Sequence, residues 1–489
     1  MVKVAGNLDV ETTGIEYDSR KIKRGSIFVA IKGSHQDGVE FIEEAVENGA
    51  VAVVVEEEKA KKDASKKSFI LDNKGKLTTA ITVEDSRKTL AALSADFFGN
   101  PSRELDVIGI TGTNGKTTVA YLIESILKSA GRKTGLLGTI NYRFGDKTIP
   151  ARQTTPESLD LQKMLREMAD IKIDTCVLEV SSHSLILNRV YKTDFSVGVF
   201  TNLTQDHLDF HQNKEKYFKA KEKLFTEYNL KKAVINIDDS YGERILTKTA
   251  AEVMTVGIKG KGDIQAKNIK TSMDGITFIA LTPKGNIEIV SRLFGCHNVY
   301  NILFAIGSAL ALGLSLEEIK RGVYALSDVP GRSQRIDEGQ NFTVLVDYAH
   351  TDDALKNTIK AARDLANRKI ITVFGCGGNR DQDKRPKMGE VAGRYSDFTI
   401  ITSDNPRNED PARIAKSIET GIKKVVDARK YCVILDRKQA IDRAIQMAGK
   451  DDIVIIAGKG HEDYQVFRDR RIHFDDLETA KEIIKKLSR

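Results

Sequence analysis

The sequence has little cysteine, and the cysteines it has are far apart. They are Cys176, Cys296, Cys376 and Cys432 among 489 positions, and no two form a CxxC pair. This spacing argues against a structural zinc site and against a disulfide framework. We therefore expect four buried thiols in a reducing compartment.

Long hydrophobic runs are also missing. The longest apolar stretches are short, such as Val51 to Val55, whereas a membrane-spanning helix needs about 18 or more apolar residues. The first residues, MVKVAGNLDV, contain neither an apolar core of signal-peptide length nor a small-residue cleavage pattern. We expect a cytoplasmic protein with no membrane insertion.

The chain has no large excess of charge of either sign. It contains 76 basic and 69 acidic residues, which give a net charge of +7. No concentrated basic block of the kind that binds nucleic acid is present, although a mild positive excess suits a polyanionic small molecule. We expect no nucleic-acid partner, and we expect the chain to act as a monomer.

Short β-branched runs alternate with amphipathic helical segments along the whole chain. Such alternation is typical of an α/β fold with mainly parallel sheets, and the length predicts about three domains. Glycine and proline mark the boundaries, at Gly99-Asn100-Pro101 and at Pro330-Gly331. The predicted domains are residues 1–98, 99–331 and 332–489, and the last has the strand–helix order of a Rossmann-like fold.

Individual elements can be placed within these domains. Ser315 and Glu318 are spaced as a capping box at the start of a helix, and Asp274-Gly275 predicts a hairpin turn. Strands are predicted at 26–31, 50–55, 105–110, 174–180, 195–203 and 342–348, and helices at 86–98, 298–312 and 315–326.

The segment VIGITGTNGKTT at 107–118 is the most informative part of the chain. A strand leads into a glycine-rich turn, and a helix with one apolar face follows. Glycines let backbone N–H groups approach phosphate oxygens, and the helix N-terminus adds positive potential. Lys116 would reach the outer phosphates of a nucleotide, and Thr117 would place its hydroxyl on Mg²⁺. The alternative is a tight turn with a chance lysine, because Ile110 stands where a strict P-loop has glycine.

Two strand ends carry candidate metal ligands. Glu179 lies near the carboxyl end of the strand predicted at 174–180, and His207 follows the strand predicted at 195–203. Ligands bind at the carboxyl ends of strands in open α/β sheets. Taken singly, each residue is more often an ordinary polar side chain at a strand end, so both readings stay open at this point.

Lys221 lies on the apolar face of a predicted helix. It follows Tyr217 by four positions and precedes Leu224 by three. A lysine on such a face usually extends its amine to solvent. The alternative is a desolvated lysine with a depressed pKa, whose neutral amine could react with carbon dioxide and form an anionic carbamate that helps to hold Mg²⁺.

Together these motifs resemble the Mur ligase family, and the resemblance covers nearly the whole chain in the family's motif order. Within the family it is strongest for the ligases that add the third peptide residue. The motifs are DSRKIKRGSIFVAIKGSHQDG (18–38), GTNGKTT, TTPES (154–158), EVSSHSLILNR (179–189), TNLTQDHLDFH (201–211), YFKAKEKLF (217–225), HNVYN (297–301), PGRSQRI (330–336), DYAHTDDAL (347–355), FGCGGNRDQDKRPKM (374–388), SDNPR (403–407) and GKGHE (458–462).

The resemblance implies a role for each matching residue. The N-terminal domain would bind UDP, the central P-loop domain ATP, and the C-terminal domain the incoming amino acid. Ser19 and the HQDG turn would hold the UDP end, and the muramoyl peptide would contact Thr154, Thr155, Ser181 and Arg189. ATP would contact Gly112, Thr113, Asn114, Gly115, Lys116, Thr117, Thr118, Asn301, Arg335 and Asp347.

The same resemblance implies the catalytic and metal-binding residues and the amino-acid site. His350 would lie near the reacting carboxylate, and Mg²⁺ would be held by Thr117, Glu179, His207 and Lys221 as N6-carboxylysine. The incoming amino acid would be bound by Arg380, Asp404, Asn405, Arg407, Gly458 and Glu462.

The DNPR sequence at 404–407 bears on which amino acid is added. In the family this form is associated with meso-diaminopimelate, which has a distal carboxylate that L-lysine lacks. Arg407 can make a two-pronged contact with a carboxylate, and a neutral Asn405 avoids repulsion there. Two positions depart from the family pattern: Asn379 stands where aspartate is usual, and Asp352 stands where proline is usual.

The implied activity is ATP-dependent amide-bond formation on a cell-wall precursor. The substrates would be ATP, meso-diaminopimelate and UDP-N-acetylmuramoyl-L-alanyl-D-glutamate, with an acyl phosphate as intermediate. Within the superfamily the alternatives are the lysine-adding ligase and a folylpolyglutamate synthetase, and the HQDG region and DNPR disfavour both. A rival of another class is a P-loop switch or kinase that acts as a regulator, and a third is a non-catalytic paralogue that only binds nucleotide sugars.

Overall fold

The computed structural model describes residues 3–7, 9–33, 36–57, 78–366 and 368–487. The chain divides into two compact α/β units. The first comprises Met1–Gly109, Lys133–Ser196 and Lys223–Lys231, and the second comprises Ile110–Arg132, Val197–Glu222 and Lys232–Arg489. Over the described ranges, no helix combines the length and the apolar character needed to cross a membrane.

A five-stranded sheet begins the first unit. Its neighbours pair in parallel except for one antiparallel edge strand. Helix Ile42–Glu47 covers the apolar side chains of one face, and helix Ser86–Phe97 covers those of the other. In spatial order the strands are Lys3–Ala5, Thr79–Val83, Ala52–Glu56, Ser26–Val29 and Gly14–Glu16.

The rest of the first unit is organised around a buried parallel strand pair. Thr134–Leu137 pairs with Thr175–Glu179, whose five residues are all buried. A continuous apolar run of this kind forms a strand that is covered on both faces. Further elements are strands Asn141–Phe144 and Lys147–Pro150 and helices Ser158–Asp170 and Ser182–Ile186.

In the second unit, a helix pair packs closely on the helix that follows the glycine-rich loop. Strand Asp106–Thr111 leads through loop 112–115 into helix Lys116–Ser129. Ser125 of that helix donates its hydroxyl to the Gly322 carbonyl at 2.7 Å, and any side chain at 322 would meet the backbone of Ile126. The two packing helices are His297–Ala311 and Leu316–Ala325.

The predicted hairpin and capping box are both present. Ser272 pairs with Gly275, so Met273 and Asp274 form a two-residue turn. The Ser315 hydroxyl accepts the Glu318 N–H, and the Glu318 carboxylate accepts the Ser315 N–H in return. The antiparallel strands are Gln265–Ser272, Gly275–Thr282 and Gly285–Ser291; other elements of this region are strands Phe195–Phe200, Leu230–Asn236 and Glu252–Val256 and helices Leu208–His211, Lys214–Thr226 and Ser240–Leu246.

The C-terminal part of the second unit is a six-stranded sheet with helices on both faces. Three helices cover one apolar face, namely Asp352–Arg363, Lys384–Tyr395 and Pro411–Ile422, and Arg437–Met447 and Asp476–Leu487 cover the other. All neighbours are parallel except the first pair. The strand order is Gln334–Ile336, Thr343–Asp347, Ile453–Ala457, Ile370–Phe374, Phe398–Ile401 and Tyr431–Val433, and a hairpin of Tyr464–Val466 and Arg471–His473 follows.

Two sequence expectations need correction. Only Cys176 and Cys376 are buried thiols. Cys296, which directly precedes helix His297–Ala311, is exposed, and Cys432 is half-buried because its strand, Tyr431–Val433, lies at the edge of the sheet. The strand predicted at 195–203 ends at Phe200. Beyond it, Leu203 donates its N–H to the Asp239 carboxylate at 2.8 Å instead of to a neighbouring strand.

A fully buried ion pair joins the two helices on one face of the C-terminal sheet. The Arg437 guanidinium binds both Asp476 carboxylate oxygens, at 2.7 and 2.6 Å, and neither side chain is exposed. Arg437 also donates to the backbone carbonyls of Ser403 and Ala457. Ala457 ends the strand Ile453–Ala457, and Ser403 follows the strand Phe398–Ile401 by two residues. The pair therefore fixes the edge of the sheet that precedes the DNPR segment.

We predict that Arg437→Met will lower the free energy of unfolding by about 3–5 kcal/mol, because it leaves the Asp476 carboxylate buried without its partner. Urea titration of the purified protein would measure this. The adjacent Lys438 is a matched control, since its ion pair with Glu482 is more than half exposed. Lys438→Met should change stability by at most about 0.5 kcal/mol, and equal effects of the two variants would contradict the prediction.

Candidate active site

The glycine-rich loop is held by side chains that follow the strand Phe195–Phe200. Thr113 donates its N–H to the Asn202 carbonyl at 2.9 Å, and Asn114 donates its N–H to the Asn202 side-chain oxygen at 3.0 Å. Thr201 donates its hydroxyl to the Asn114 carbonyl at 2.6 Å. Residues 201 and 202, which lie outside the glycine-rich motif, therefore fix the shape of the loop. The predicted strand–loop–helix order is observed.

Two glycines in the loop are required by conformation and by space. Gly112 has φ 148° and Gly115 has φ 90°, both in the region that favours glycine. A β-carbon at Gly112 would meet the Thr201 hydroxyl, and one at Gly115 would meet the Asn301 side-chain oxygen. Asn301, predicted to contact adenine, thus lies directly beside the loop.

Two lysine amines converge on the loop at the carbonyl of Gly112. Lys116 donates to it at 2.9 Å and to the Thr113 carbonyl at 2.8 Å, and Lys221 donates to the Gly112 carbonyl at 2.7 Å. Lys221 is only 1% exposed. Burial lowers the pKa of Lys221 well below its ordinary value, and the charge of Lys116 lowers it further. Lys221 therefore does not extend its amine to solvent.

A histidine and aspartate cluster lies in the same unit as the loop. Asp206 is 3.3 Å from the His207 ring nitrogen. Burial favours a raised pKa for Asp206, but the neighbouring His207, His350 and Lys384 outweigh that effect and lower it. Burial and Lys384 also lower the pKa of His350. His350 Nδ1 lies 2.9 Å from the Tyr348 carbonyl, which can only accept, so the neutral imidazole leaves Nε2 as an acceptor.

The first turn of the helix Lys116–Ser129 is reached by an arginine that sequence reasoning did not select. The Arg332 guanidinium donates to the Thr117 hydroxyl at 3.1 Å and lies over the Tyr348 ring. Thr117 and the next residue, Thr118, are both buried. The predicted ATP residue Arg335 instead pairs loosely with Asp274, at 3.6 Å. Both arginines line one cavity of about 350 Å³.

Asp347 stabilises a turn through hydrogen bonds to its carboxylate and its backbone carbonyl. One carboxylate oxygen accepts the N–H and hydroxyl of Ser333, at 2.5 and 2.9 Å, and the other accepts the Ala349 N–H at 2.8 Å. The Asp347 carbonyl accepts the Gly458 N–H at 3.0 Å. This single residue links the segment containing Arg332 to the GKGHE segment.

The predicted amino-acid residues cluster at the C-terminal edge of the six-stranded sheet, and we call this cluster the amino-acid pocket after its predicted role. The Asn405 amide donates to the Glu462 carboxylate at 2.7 Å and accepts the Val466 N–H at 2.9 Å. Burial and Asp404 raise the pKa of Glu462. A β-carbon at Gly458 would lie 2.7 Å from Asp404 Oδ2, so glycine leaves that carboxylate open.

Two arginines flank the same pocket. A β-carbon at Gly377 would be 2.8 Å from the Arg407 guanidinium and 3.8 Å from Arg380 Cγ. Burial lowers the pKa of Arg407, and Arg380 lowers it further. Because two close cations repel each other, a bound carboxylate would be stabilised between them. A cavity of about 560 Å³ opens beside Arg380.

The two departures from the family pattern have local explanations. Asn379 has φ 51°, a conformation that asparagine tolerates better than most residues, and its side-chain oxygen accepts the Asn408 N–H at 3.1 Å. Asp352 is the first residue of helix Asp352–Arg363, where a negative charge is favourable.

In the first unit, the predicted muramoyl-peptide residues surround the end of strand Thr175–Glu179. The Glu179 carboxylate accepts the N–H and the hydroxyl of Thr139, each at 2.9 Å. The Thr139 hydroxyl oxygen also lies 3.2 Å from the Thr154 hydroxyl, from which it can accept a hydrogen bond. Thr155 donates to the Glu179 carbonyl at 2.7 Å and accepts the Ser181 N–H at 3.1 Å.

Arg189 is held in this group by Glu157. The Glu157 carboxylate lies 3.3 Å from Arg189 Nε and 2.9 Å from Arg87, which also donates to the Lys32 carbonyl. Ser19 donates its hydroxyl to Glu44 at 2.6 Å. Gln36, Asp37 and Gly38 of the HQDG turn are described, and His35 lies outside the described residues.

Sequence reasoning missed three residues that the geometry selects, Asp206, Arg332 and Glu157. Each lies inside a quoted motif: Asp206 adjoins His207, Glu157 lies two positions after Thr155, and Arg332 lies three positions before Arg335. Their partners His350, Thr117 and Arg87 come from distant parts of the chain. The sequence offered a signal only for Glu157, the acidic residue of TTPES, which the structure places directly before helix Ser158–Asp170.

Magnesium can be tested against the donor atoms present. Among the described residues, no group of three or more His, Cys, Asp and Glu side chains is arranged to hold a metal ion. The Thr117 hydroxyl and the fully buried Glu179 carboxylate are oxygen donors of the kind Mg²⁺ prefers. The Lys221 amine is not, and only its carbamate would add oxygen.

Comparison with known families agrees with this geometry. The Mur ligase family catalytic domain matches residues 11–98, the Mur ligase middle domain matches 110–309, and the Mur ligase glutamate ligase domain matches 331–460. The chain belongs to the Mur ligase family. The predicted three-domain α/β architecture is confirmed for this Mur ligase, and the residue bounds of its domains stay a prediction.

Relatives of this Mur ligase match it over nearly its full length. A Clostridium acetobutylicum protein named UDP-N-acetylmuramoyl-L-alanyl-D-glutamate–2,6-diaminopimelate ligase 1 is 47% identical over 487 residues, 99% of this chain and 97% of its own. A solved structure of a ligase with the same activity in its name is 32% identical, with TM-score 0.67, over 98% and 96% of the two chains. The MurF ligase of Thermotoga maritima in complex with ADP shares the fold, at 20% identity, TM-score 0.65 and 98% of each chain.

We predict that Gly115→Ala in this Mur ligase will weaken ATP binding about tenfold, because the new β-carbon displaces the Asn301 side chain beside the loop. Calorimetric titration with a non-hydrolysable ATP analogue would measure it. Gly131→Ala is the matched control, since Gly131 also has positive φ, 76°, but nothing lies within 4 Å of its β-carbon. Equal ATP affinity in the two variants would contradict the assignment.

Proposed function

We propose that this Mur ligase adds meso-diaminopimelate to UDP-N-acetylmuramoyl-L-alanyl-D-glutamate, with hydrolysis of ATP to ADP and phosphate. The observation that carries the choice of amino acid is the pair Arg380 and Arg407 beside the carboxylates of Asp404 and Glu462. Diaminopimelate presents a distal carboxylate to the cations and an amino group to the acids. The relatives named for this activity support the same choice.

The first step is phosphoryl transfer. The D-glutamate carboxylate attacks the γ-phosphate, ADP leaves, and an acyl phosphate forms, because a free carboxylate is a poor electrophile. In our proposal the loop 112–115 and the start of helix Lys116–Ser129 bind the phosphates. Lys116 would exchange its loop carbonyls for phosphate oxygens. Arg332 orients Thr117, and Asn301 would contact adenine beside Gly115.

The second step forms the amide bond. The amino group of diaminopimelate attacks the acyl carbon, phosphate leaves, and the amine loses a proton. Asp404 and Glu462 bind the distal ammonium group, and Arg380 and Arg407 bind the distal carboxylate, so the other amino group is left neutral to attack the acyl carbon. Neutral His350 offers Nε2 as an acceptor near the reacting groups.

The muramoyl substrate would bind to the first unit. Thr154, Thr155, Ser181 and Arg189 would hold its peptide portion, and Ser19 and the HQDG turn its UDP end. Glu157, which also pairs with Arg87, holds Arg189 in place. We place the reaction in the cytoplasm, where ATP and nucleotide sugars are available.

Thr117, Glu179, His207 and the carbamate of Lys221 would hold magnesium. When bound, Mg²⁺ offsets the negative charge that accumulates on the phosphates. The buried Lys221 amine has the low pKa that carbamate formation needs, since only the neutral amine attacks carbon dioxide.

The decisive test is phosphate release from ATP in the presence of Mg²⁺ and the UDP-muramoyl dipeptide. We predict release that depends on meso-diaminopimelate and is at least about tenfold slower with L-lysine, which cannot engage Arg380 and Arg407 through a distal carboxylate. A reaction without any amino acid measures the background. Phosphate release with L-lysine but not with meso-diaminopimelate would support the ligase activity and contradict the proposed amino-acid specificity.

We predict that ¹³C-bicarbonate will give a carbamate NMR signal that Lys221→Arg lacks. The signal should weaken as the pH falls through the depressed pKa of Lys221, because protonation removes the nucleophilic amine. Lys219 is the matched control on the same helix: it is exposed, and its hydrogen bond to Glu222 raises its pKa. Lys219→Arg should keep the signal, and a signal that persists in Lys221→Arg would exclude this residue.

A further inference from the structure

One fully buried lysine has no part in the reaction steps above. Lys459, the second residue of GKGHE, is 0% exposed. Its amine donates to the Tyr464 carbonyl, lies 3.5 Å from a Glu462 carboxylate oxygen, and lies 5.3 Å from the centre of the Tyr464 ring. Burying a lysine amine costs free energy because the amine loses its contact with water. The groups that it contacts therefore indicate its role.

The main charged partner is the carboxylate expected to receive the substrate amine. Around Glu462 lie Asp404, Asn405, Lys459, Tyr348, Tyr464 and Arg407. Burial and Asp404 raise the pKa of Glu462, whereas Lys459 and the Asn405 amide oppose that rise. Within this group, Lys459 is the cation within 4 Å of the Glu462 carboxylate.

The second contact of Lys459 connects it to the strand that holds the DNPR segment. Tyr464 begins the strand Tyr464–Val466, and the Val466 N–H reaches the Asn405 side-chain oxygen at 2.9 Å. In the same strand, the buried Gln465 amide donates to the Asp404 carbonyl at 2.9 Å. Lys459 therefore lies between the carboxylate and the strand that together shape the amino-acid pocket.

We propose that Lys459 is a positioning residue for amino-acid binding, which holds the Glu462 carboxylate ionised and oriented toward the ammonium group of the incoming diaminopimelate. The inference rests on the proposed function of this pocket. It assigns Lys459 no contact with the substrate and no proton transfer.

The test compares Lys459→Met with the unaltered enzyme in steady-state kinetics. We expect the KM for meso-diaminopimelate to rise about tenfold or more, because the amine loses an ionised partner, while the KM for ATP stays within about twofold. The acid limb of the kcat/KM profile for diaminopimelate should move to higher pH, since loss of the cation raises the pKa of Glu462. A purely structural lysine would move both KM values together and leave the limb in place, which would overturn the proposal.

A double variant keeps the proposal testable if Lys459→Met folds poorly. Glu462→Gln removes the carboxylate that the lysine balances, so Lys459→Met/Glu462→Gln should unfold at a higher temperature than Lys459→Met alone. A double variant no more stable than the single one would show that Lys459 serves only the Tyr464 carbonyl, against the proposal. Lys438→Met is the control for loss of an exposed lysine. Absence of diaminopimelate-dependent release in the unaltered enzyme would instead overturn the proposed function itself.

Discussion

The carbonyl oxygen of Gly112 accepts hydrogen bonds from two lysine amines, and the nucleotide-binding part of the second unit depends on that convergence. Lys116 and Lys221 reach this oxygen from two different helices. Two cations so close together repel each other, which favours a neutral Lys221 and an anion nearby. The glycine conformation at 112, the contacts of Asn202 with the loop and the burial of Lys221 all serve to maintain this arrangement, and all of them favour phosphate as a ligand.

The proposed amino-acid pocket also brings like charges close together, and it does so for charges of both signs. Arg380 and Arg407 repel each other on one side, and Asp404 and Glu462 repel each other on the other. A zwitterionic head with a carboxylate and an ammonium group relieves both repulsions at once. The buried pair of Arg437 and Asp476 supports this edge of the sheet. Arg437 donates to the carbonyls of Ser403 and Ala457, which directly precede the DNPR and GKGHE segments.

Local patterns could be predicted from the sequence, and long-range partners could not. The strand–loop–helix of the phosphate loop, the capping box at Ser315 and the hairpin at Asp274 each depend on neighbours a few residues apart, and each is observed. The family resemblance identified the motifs from 18–38 to GKGHE. Arg332 and Lys459 could not be selected from the sequence, because each matters through a partner that only folding brings near. That partner is Thr117 for Arg332 and Glu462 for Lys459. Cys296 was placed wrongly because cysteine is usually buried, whereas a residue at a helix start is often exposed.

The two hydrogen bonds made by the Asn405 side chain limit which substitutions this position can accept. Its amide group is committed at both ends, to Glu462 and to the Val466 N–H. A lineage that changed Asn405 alone would lose both contacts before it gained a new substrate. A change at Asn405 is therefore best tolerated together with changes at Glu462 or in the hairpin strand, so we expect these positions to vary together.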